Sequence, residues 1–176
     1  LPDLAEWEHI VERMKTADDE VKIGLVGKYV ALHDAYLSVA EALRHAAWSL
    51  GHRLKISWID SESLTPENYK DVLSGLQGII VPGGFGGRGI EGMILSARYA
   101  RECGIPYFGI CLGMQISVIE YARNVAGITD ASSGEFNEIC AHKVIDFMPG
   151  QSDSVDKGGT LRLGAYPCVI QAGTTM

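Results

Sequence analysis

Between residues 109 and 113 the chain reads Gly-Ile-Cys-Leu-Gly, entered through Ile105-Pro-Tyr-Phe108 and left through Met114-Gln115. Ile105, Phe108 and Ile110 are strand formers, and Pro106 suits the first position of a strand. A helix is expected to begin near Leu112. A strand that turns straight into a helix around a cysteine flanked by glycines has the pattern of a nucleophile elbow. In such a turn the backbone is strained and passes close to its neighbours, which is why glycine is needed on both sides. The sulfur is lifted out of the sheet and set at a helix N-terminus, where the dipole and unpaired N–H groups favour thiolate over thiol. The same five residues also fit a second reading, a buried cysteine in a glycine-rich turn.

The rest of the chain has the periodicity that an elbow requires. Residues 21–27, 53–59 and 78–81 read as strands, the first and third apolar enough to be buried on both faces. Between them the spacing predicts helices over 34–50, 66–73, 90–102 and 112–125. Asp34 is placed as the cap of the first of these, and Gly51 as its end. Alternating strands and helices predict an α/β fold, a doubly wound and mostly parallel sheet with helices on both faces. Both glycine-rich loops, at 82–89 and at Cys111, then fall beyond the C-terminal strand ends, where such sheets carry their chemistry. After residue 140 the segments 143–147, 160–163 and 168–171 read as a short antiparallel extension, with a mobile stretch over 148–159. Residues 1–18 read as a leader or linker containing a helix with Leu4, Trp7, Val11 and Met14 on one stripe, leaving 19–176 as the domain.

Composition narrows the function classes. The chain of 176 residues is long enough for one domain, and 47% hydrophobic with 21% charged residues is a soluble, globular balance. A net charge of −7 without a basic stripe argues against nucleic acid and anionic membranes as partners. No apolar run is long enough to span a membrane, and the acidic N-terminus is unlike a secretory signal. Cys103, Cys111, Cys140 and Cys168 are widely spaced with no Cys-x-x-Cys, against zinc and disulfide frameworks and in favour of a reduced, cytoplasmic setting.

Amide chemistry through a cysteine needs an oxyanion site, a side-chain pocket and a base. The N–H groups of Leu112 and of a glycine in Val81-Pro-Gly-Gly84 are placed to serve the first need; the alternative for that loop is a phosphate cradle, although it lacks the Gly-Lys-Ser/Thr ending of a P-loop. Gln115, one turn beyond Cys111 on the same face, suits a small polar substrate. Glu135 suits a substrate ammonium. Of His9, His33, His45, His52 and His142, only His33 follows a strand on the active edge, and no histidine is a convincing base.

With these residues in view the chain resembles the class I glutamine amidotransferases, and among them the glutaminase domain of CTP synthases. The resemblance is carried by Gly27-Lys-Tyr29, Asp34-Ala-Tyr36, Val81-Pro-Gly-Gly-Phe-Gly86, Arg88-Gly89, Glu91-Gly-Met93, the elbow through Gln115, Glu135-Phe136 and Gly158-Gly-Thr-Leu-Arg-Leu-Gly164. It implies that Cys111 forms a glutamyl thioester, that Gly84 and Leu112 supply the oxyanion N–H groups, and that Gly84, Leu112, Gly113, Met114, Gln115 and Glu135 hold L-glutamine. It further implies no cofactor in this domain. Ammonia would pass to an N-terminal synthetase domain of the same parent chain, where ATP and Mg serve the amination of UTP to CTP. GTP would be an allosteric activator, with Phe85 and Arg88 near its lid, and the parent enzyme a homo-tetramer. The family completes its triad with a His-x-Glu pair. This sequence contains none, so a molecule ending at Met176 is expected to show negligible glutaminase turnover. Two other classes compete: a non-catalytic or truncated binding module on this fold, and a stress-protein-like hydrolase built on a cysteine elbow.

Overall fold

The computed structural model describes residues 2–147, 167 and 169–173. Its sheet has four parallel strands in the order β2-β1-β3-β4: β1 (Glu20–Gly27), β2 (Arg53–Asp60), β3 (Gly78–Val81) and β4 (Tyr107–Gly109). β1 pairs with β2 from Glu20↔Arg53 to Gly27↔Asp60, and with β3 from Ile23↔Gly78 to Leu25↔Ile80. The chain therefore moves outward from β1 to β2 on one side, and then to β3 and β4 on the other. The strand order reverses between β1 and β3, and a crevice is expected beyond their C-terminal ends.

Successive strand residues point to opposite faces, so each strand feeds two cores. On one face Val26, Ile59, Ile79 and Val81 pack with Leu73 of α3 (Tyr69–Leu73), Met93 and Ala97 of α4 (Ile90–Cys103) and Ile116 and Ile119 of α5 (Leu112–Asn124). On the other, Leu25, Ile80 and Tyr36 gather with Val39 and Leu43, which belong to α2 (Leu37–Ser49). Fully burying a Leu, Ile or Val side chain contributes about 1.5–3 kcal/mol, so these two clusters hold the layers together. The mostly parallel sheet with helices on both faces is as the periodicity predicts.

Three local expectations are corrected. Asp34 does not cap a helix: His33–Tyr36 form a 3-10 turn, and α2 starts at Leu37. The reason is Tyr36, whose buried hydroxyl accepts hydrogen bonds from the N–H groups of Lys28 (3.1 Å) and Tyr29 (3.2 Å) and ties the turn to the end of β1. Likewise α3 begins at Tyr69 rather than Pro66, after a turn in which Asn68 Oδ1 accepts from Thr65 N–H at 2.8 Å. The strand expected at 143–147 is β6 (Lys143–Ile145), but it pairs in parallel with β5 (Ser132–Ser133). Its expected antiparallel neighbour at 160–163 and the stretch 148–159 lie outside the described residues, and residues 169–171 form no strand. The helix expected near the N-terminus is α1 (Ala5–Thr16), with Leu4, Trp7, Val11 and Met14 exposed. Among the described residues no helix is long and apolar enough to cross a membrane.

A candidate active site at the elbow cysteine

Cys111 has φ 53° and ψ −103°. Among the described residues it is the one non-glycine with positive φ. Such backbone strain is worth on the order of 1–3 kcal/mol and persists only where the surroundings impose it. Here they do. Ile110 N–H donates to Val81 O at 2.9 Å, Gly113 N–H to Ile110 O at 3.0 Å, and Gln115 N–H to Cys111 O at 3.2 Å. The half-buried Tyr107 hydroxyl donates to Gly113 O at 2.8 Å. The turn folds so tightly that a Cβ on Gly109 would lie 2.3 Å from the carbonyl carbon of Gly113. Cys111 itself is exposed, which disposes of the buried-cysteine reading.

The loop after β3 runs alongside. A Cβ on Gly83 would lie 3.6 Å from that of Cys111, and one on Gly84 would lie 3.3 Å from Leu112 Cδ2. Among the described residues no group accepts a hydrogen bond from Leu112 N–H or Gly84 N–H. The far wall comes from a distant part of the sequence. Glu135 Oε1 accepts from Gly86 N–H at 2.7 Å, which brings the loop after α5 onto the glycine loop. Phe85 and Met114 are exposed, Gln115 is half-buried one turn beyond the sulfur, and Gly113 is buried beneath it.

Lys28 was missed as a site residue by sequence reasoning, where it was only one member of Gly27-Lys-Tyr29. It is buried at the end of β1, and its ammonium donates to Phe85 O at 2.9 Å and to Gly86 O. Loss of solvent lowers its pKa from the ordinary lysine value, while the nearby Glu135 carboxylate works in the opposite direction. Arg88 closes the group: Nη2 donates to Lys28 O at 2.9 Å, Nη1 meets Glu62 Oε1 at 3.0 Å, and the guanidinium lies 5.7 Å from the Tyr29 ring centroid. The available signal was a lysine following a buried apolar strand directly on the active edge.

Three of the five histidines are engaged elsewhere. His33 stacks on Trp58 at 4.2 Å, His45 leans on Trp48 at 5.5 Å, and His142 Nδ1 pairs with Asp130 Oδ1 at 2.7 Å. His9 is exposed on α1, and His52 Nδ1 is buried without a partner among the described residues. Among the described residues none is hydrogen-bonded to Cys111, and no three His, Cys, Asp or Glu side chains gather as a metal site would require.

Residues 31–175 match the family model of the class-I glutamine amidotransferases. The chain belongs to that family. This amidotransferase chain is 57% identical over 172 residues to the CTP synthase of Halalkalibacterium halodurans and 59% identical over 173 residues to that of Carboxydothermus hydrogenoformans. Each match covers 98% of this chain and 32% of the relative, so the chain spans about a third of the length of these curated relatives. Among solved structures it resembles the glutaminase domain of Trypanosoma brucei CTPS with bound acivicin, with a TM-score of 0.70 and 43% identity, covering 76% of this chain and 52% of that one.

Proposed function

We propose that this amidotransferase chain captures L-glutamine at Cys111 as a γ-glutamyl thioester. The observation that carries the reading is an exposed cysteine in a strained turn, with the Gly83–Gly84 backbone against it and the Leu112 N–H unpaired among the described residues. The sulfur lone pair attacks the side-chain amide carbon, forming the C–S bond while the carbonyl π electrons move to oxygen. The N–H groups of Gly84 and Leu112 stabilise that oxyanion. Collapse breaks the C–N bond as the leaving nitrogen takes up the proton the thiol gave up, carried by an acid that the described residues do not supply, and departs as ammonia; water then adds to the thioester, releasing glutamate and restoring the thiol. Gln115, Met114 and the first turn of α5 surround the side chain, and the Glu135 carboxylate pairs with the α-ammonium.

The ammonia is consumed by a synthetase domain that aminates UTP at the expense of ATP. Similarity over about a third of the length of CTP synthases supports that assignment, with residues 1–18 as the connection and Phe85 and Arg88 facing the GTP response. Among the described residues no histidine is hydrogen-bonded to Cys111 to protonate the leaving nitrogen, so steady turnover by residues 1–176 is expected to be negligible, while Cys111 still reacts with electrophilic glutamine analogues whose leaving group needs no proton. Acivicin tests this. Intact mass and peptide mapping are expected to show one adduct on Cys111, suppressed by excess L-glutamine and absent in Cys111→Ser. No adduct, or one that glutamine does not suppress, leaves a non-catalytic module as the better account.

A further inference from the structure

The Lys28 side chain has no part in that scheme, yet its geometry converges on the scheme's central loop. The crevice between the ends of β1 and β3 is where the strand order reverses, and Lys28 is the first residue past β1. Its main chain is fixed twice, by Tyr36 Oη on its N–H at 3.1 Å and by Arg88 Nη2 on its carbonyl at 2.9 Å. From that anchored base the stem runs under Gly84: a Cβ there would lie 3.6 Å from Lys28 Cδ. The ammonium ends on the carbonyls of Phe85 and Gly86, while Glu135 takes the Gly86 N–H at 2.7 Å. A cation thus holds the carbonyl side of this peptide segment and an anion its amide side. Each charge sits at the matching end of the backbone dipoles, and hydrogen bonds to charged groups are the strong kind.

We infer that Lys28 is a positioning residue for the reaction at Cys111. It fixes the Phe85–Gly86 peptides, and with them the direction of the Gly84 N–H that meets the oxyanion. It touches neither the sulfur nor the substrate. The inference rests on the proposed glutamine chemistry and adds to it the part that sets the loop. Since the α-ammonium and side-chain contacts of glutamine lie with Glu135 and Gln115, loss of the Lys28 ammonium should weaken capture in rate more than in affinity. A donor displaced by a fraction of an ångström loses much of its worth in a transition state.

The test uses the chloroketone analogue of L-glutamine, whose ketone oxygen occupies the oxyanion position while the thiolate displaces chloride to form a C–S bond. In Lys28→Met the inactivation rate at saturation is expected to fall about tenfold or more. The half-saturating concentration should move by less than about threefold. Alkylation of Cys111 by iodoacetamide, which uses no oxyanion site and is followed by peptide mapping because Cys103 is also exposed, should stay within about twofold. Lys28→Gln, which keeps a shorter uncharged donor, should fall between Met and wild type. A saturating rate in Lys28→Met equal to wild type overturns the inference, as does equal slowing of both reagents. Failure of both variants to fold by circular dichroism also overturns it, since the lysine would then be a requirement of the fold. If the wild type itself resists the chloroketone, the glutamine reading has failed first. Capture of wild type and Lys28→Met alike sinks the positioning role alone.

Discussion

A Cβ added to Gly113 would sit 2.0 Å from the carbonyl oxygen of Val81, so the first turn of α5 rests directly on the end of β3. Both sides of that contact are main chain, and no flexible side chain can move aside. Gly113→Ala is therefore expected to cost about 1–3 kcal/mol or more in urea denaturation, and to lose capture of glutamine analogues as the elbow is pushed off the strand. Gly87 is the control. It lies in the loop between β3 and α4 with nothing within 4 Å of its added Cβ, and Gly87→Ala should stay within about 0.5 kcal/mol.

The strain at Cys111 gives a second expectation, opposite in sign. An exposed side chain contributes little packing, so Cys111→Ala should cost little stability while abolishing labelling by glutamine analogues. It leaves a Cβ at φ 53°. Cys111→Gly removes that Cβ, and relief of the strain should exceed glycine's extra unfolded-state entropy, leaving Gly more stable than Ala by about 1 kcal/mol. Thermal denaturation of the two variants side by side measures it; equal midpoints would mean the turn carries no strain.

What could be read in advance follows physical lines. β3 was legible because Gly78–Val81 is apolar throughout, and α4 because Ile94, Ala97 and Ala100 recur at helical spacing and are all buried. The elbow was legible because its two glycines have backbone where a side chain would be. Asp34 misled because its local capping preference lost to a tertiary bond, the Tyr36 hydroxyl under Lys28 and Tyr29. Lys143–Ile145 showed strand composition, but nothing in it named Ser132–Ser133 as a parallel partner. Lys28 carried only the faint signal of its place after a buried strand, since a lone lysine reads as solvated until the strand order brings residue 28 against residues 85 and 86.

Between α4 and α5, Arg101 Nη2 meets Glu120 Oε1 at 2.7 Å, with Nε donating to both carboxylate oxygens at 3.1 and 3.0 Å. Asn124 Nδ2 adds a bond at 3.1 Å. The Glu120 side chain is only 3% exposed, against 35% for Arg101, so the carboxylate bears most of the desolvation. Arg101→Met leaves a buried charge with a single amide donor and should destabilise by about 3 kcal/mol. The double variant Arg101→Met with Glu120→Leu removes that charge and should recover most of the loss. A double no more stable than the single would show that the pair contributes through attraction rather than by avoiding an unpaired charge.

Tyr107 supports the elbow from below, and its hydroxyl sets a pH dependence. Burial pushes the phenol well above its ordinary value, with the Glu120 carboxylate adding to the shift. In the unfolded chain the phenol ionises near pH 10, whereas the folded protein keeps its proton to higher pH. Above about pH 10 the unfolded state therefore binds fewer protons than the native state, and the contribution of this group to stability falls as pH rises. Tyr107→Phe loses the hydrogen bond to Gly113 O and should be less stable by about 1 kcal/mol at neutral pH. It also loses the titration, so the gap between wild type and variant should be flat below about pH 9 and shrink from pH 10 upward. Urea midpoints measured between these limits decide it: a gap that stays constant into the alkaline range would mean the phenol is no harder to ionise in the fold than in the free chain.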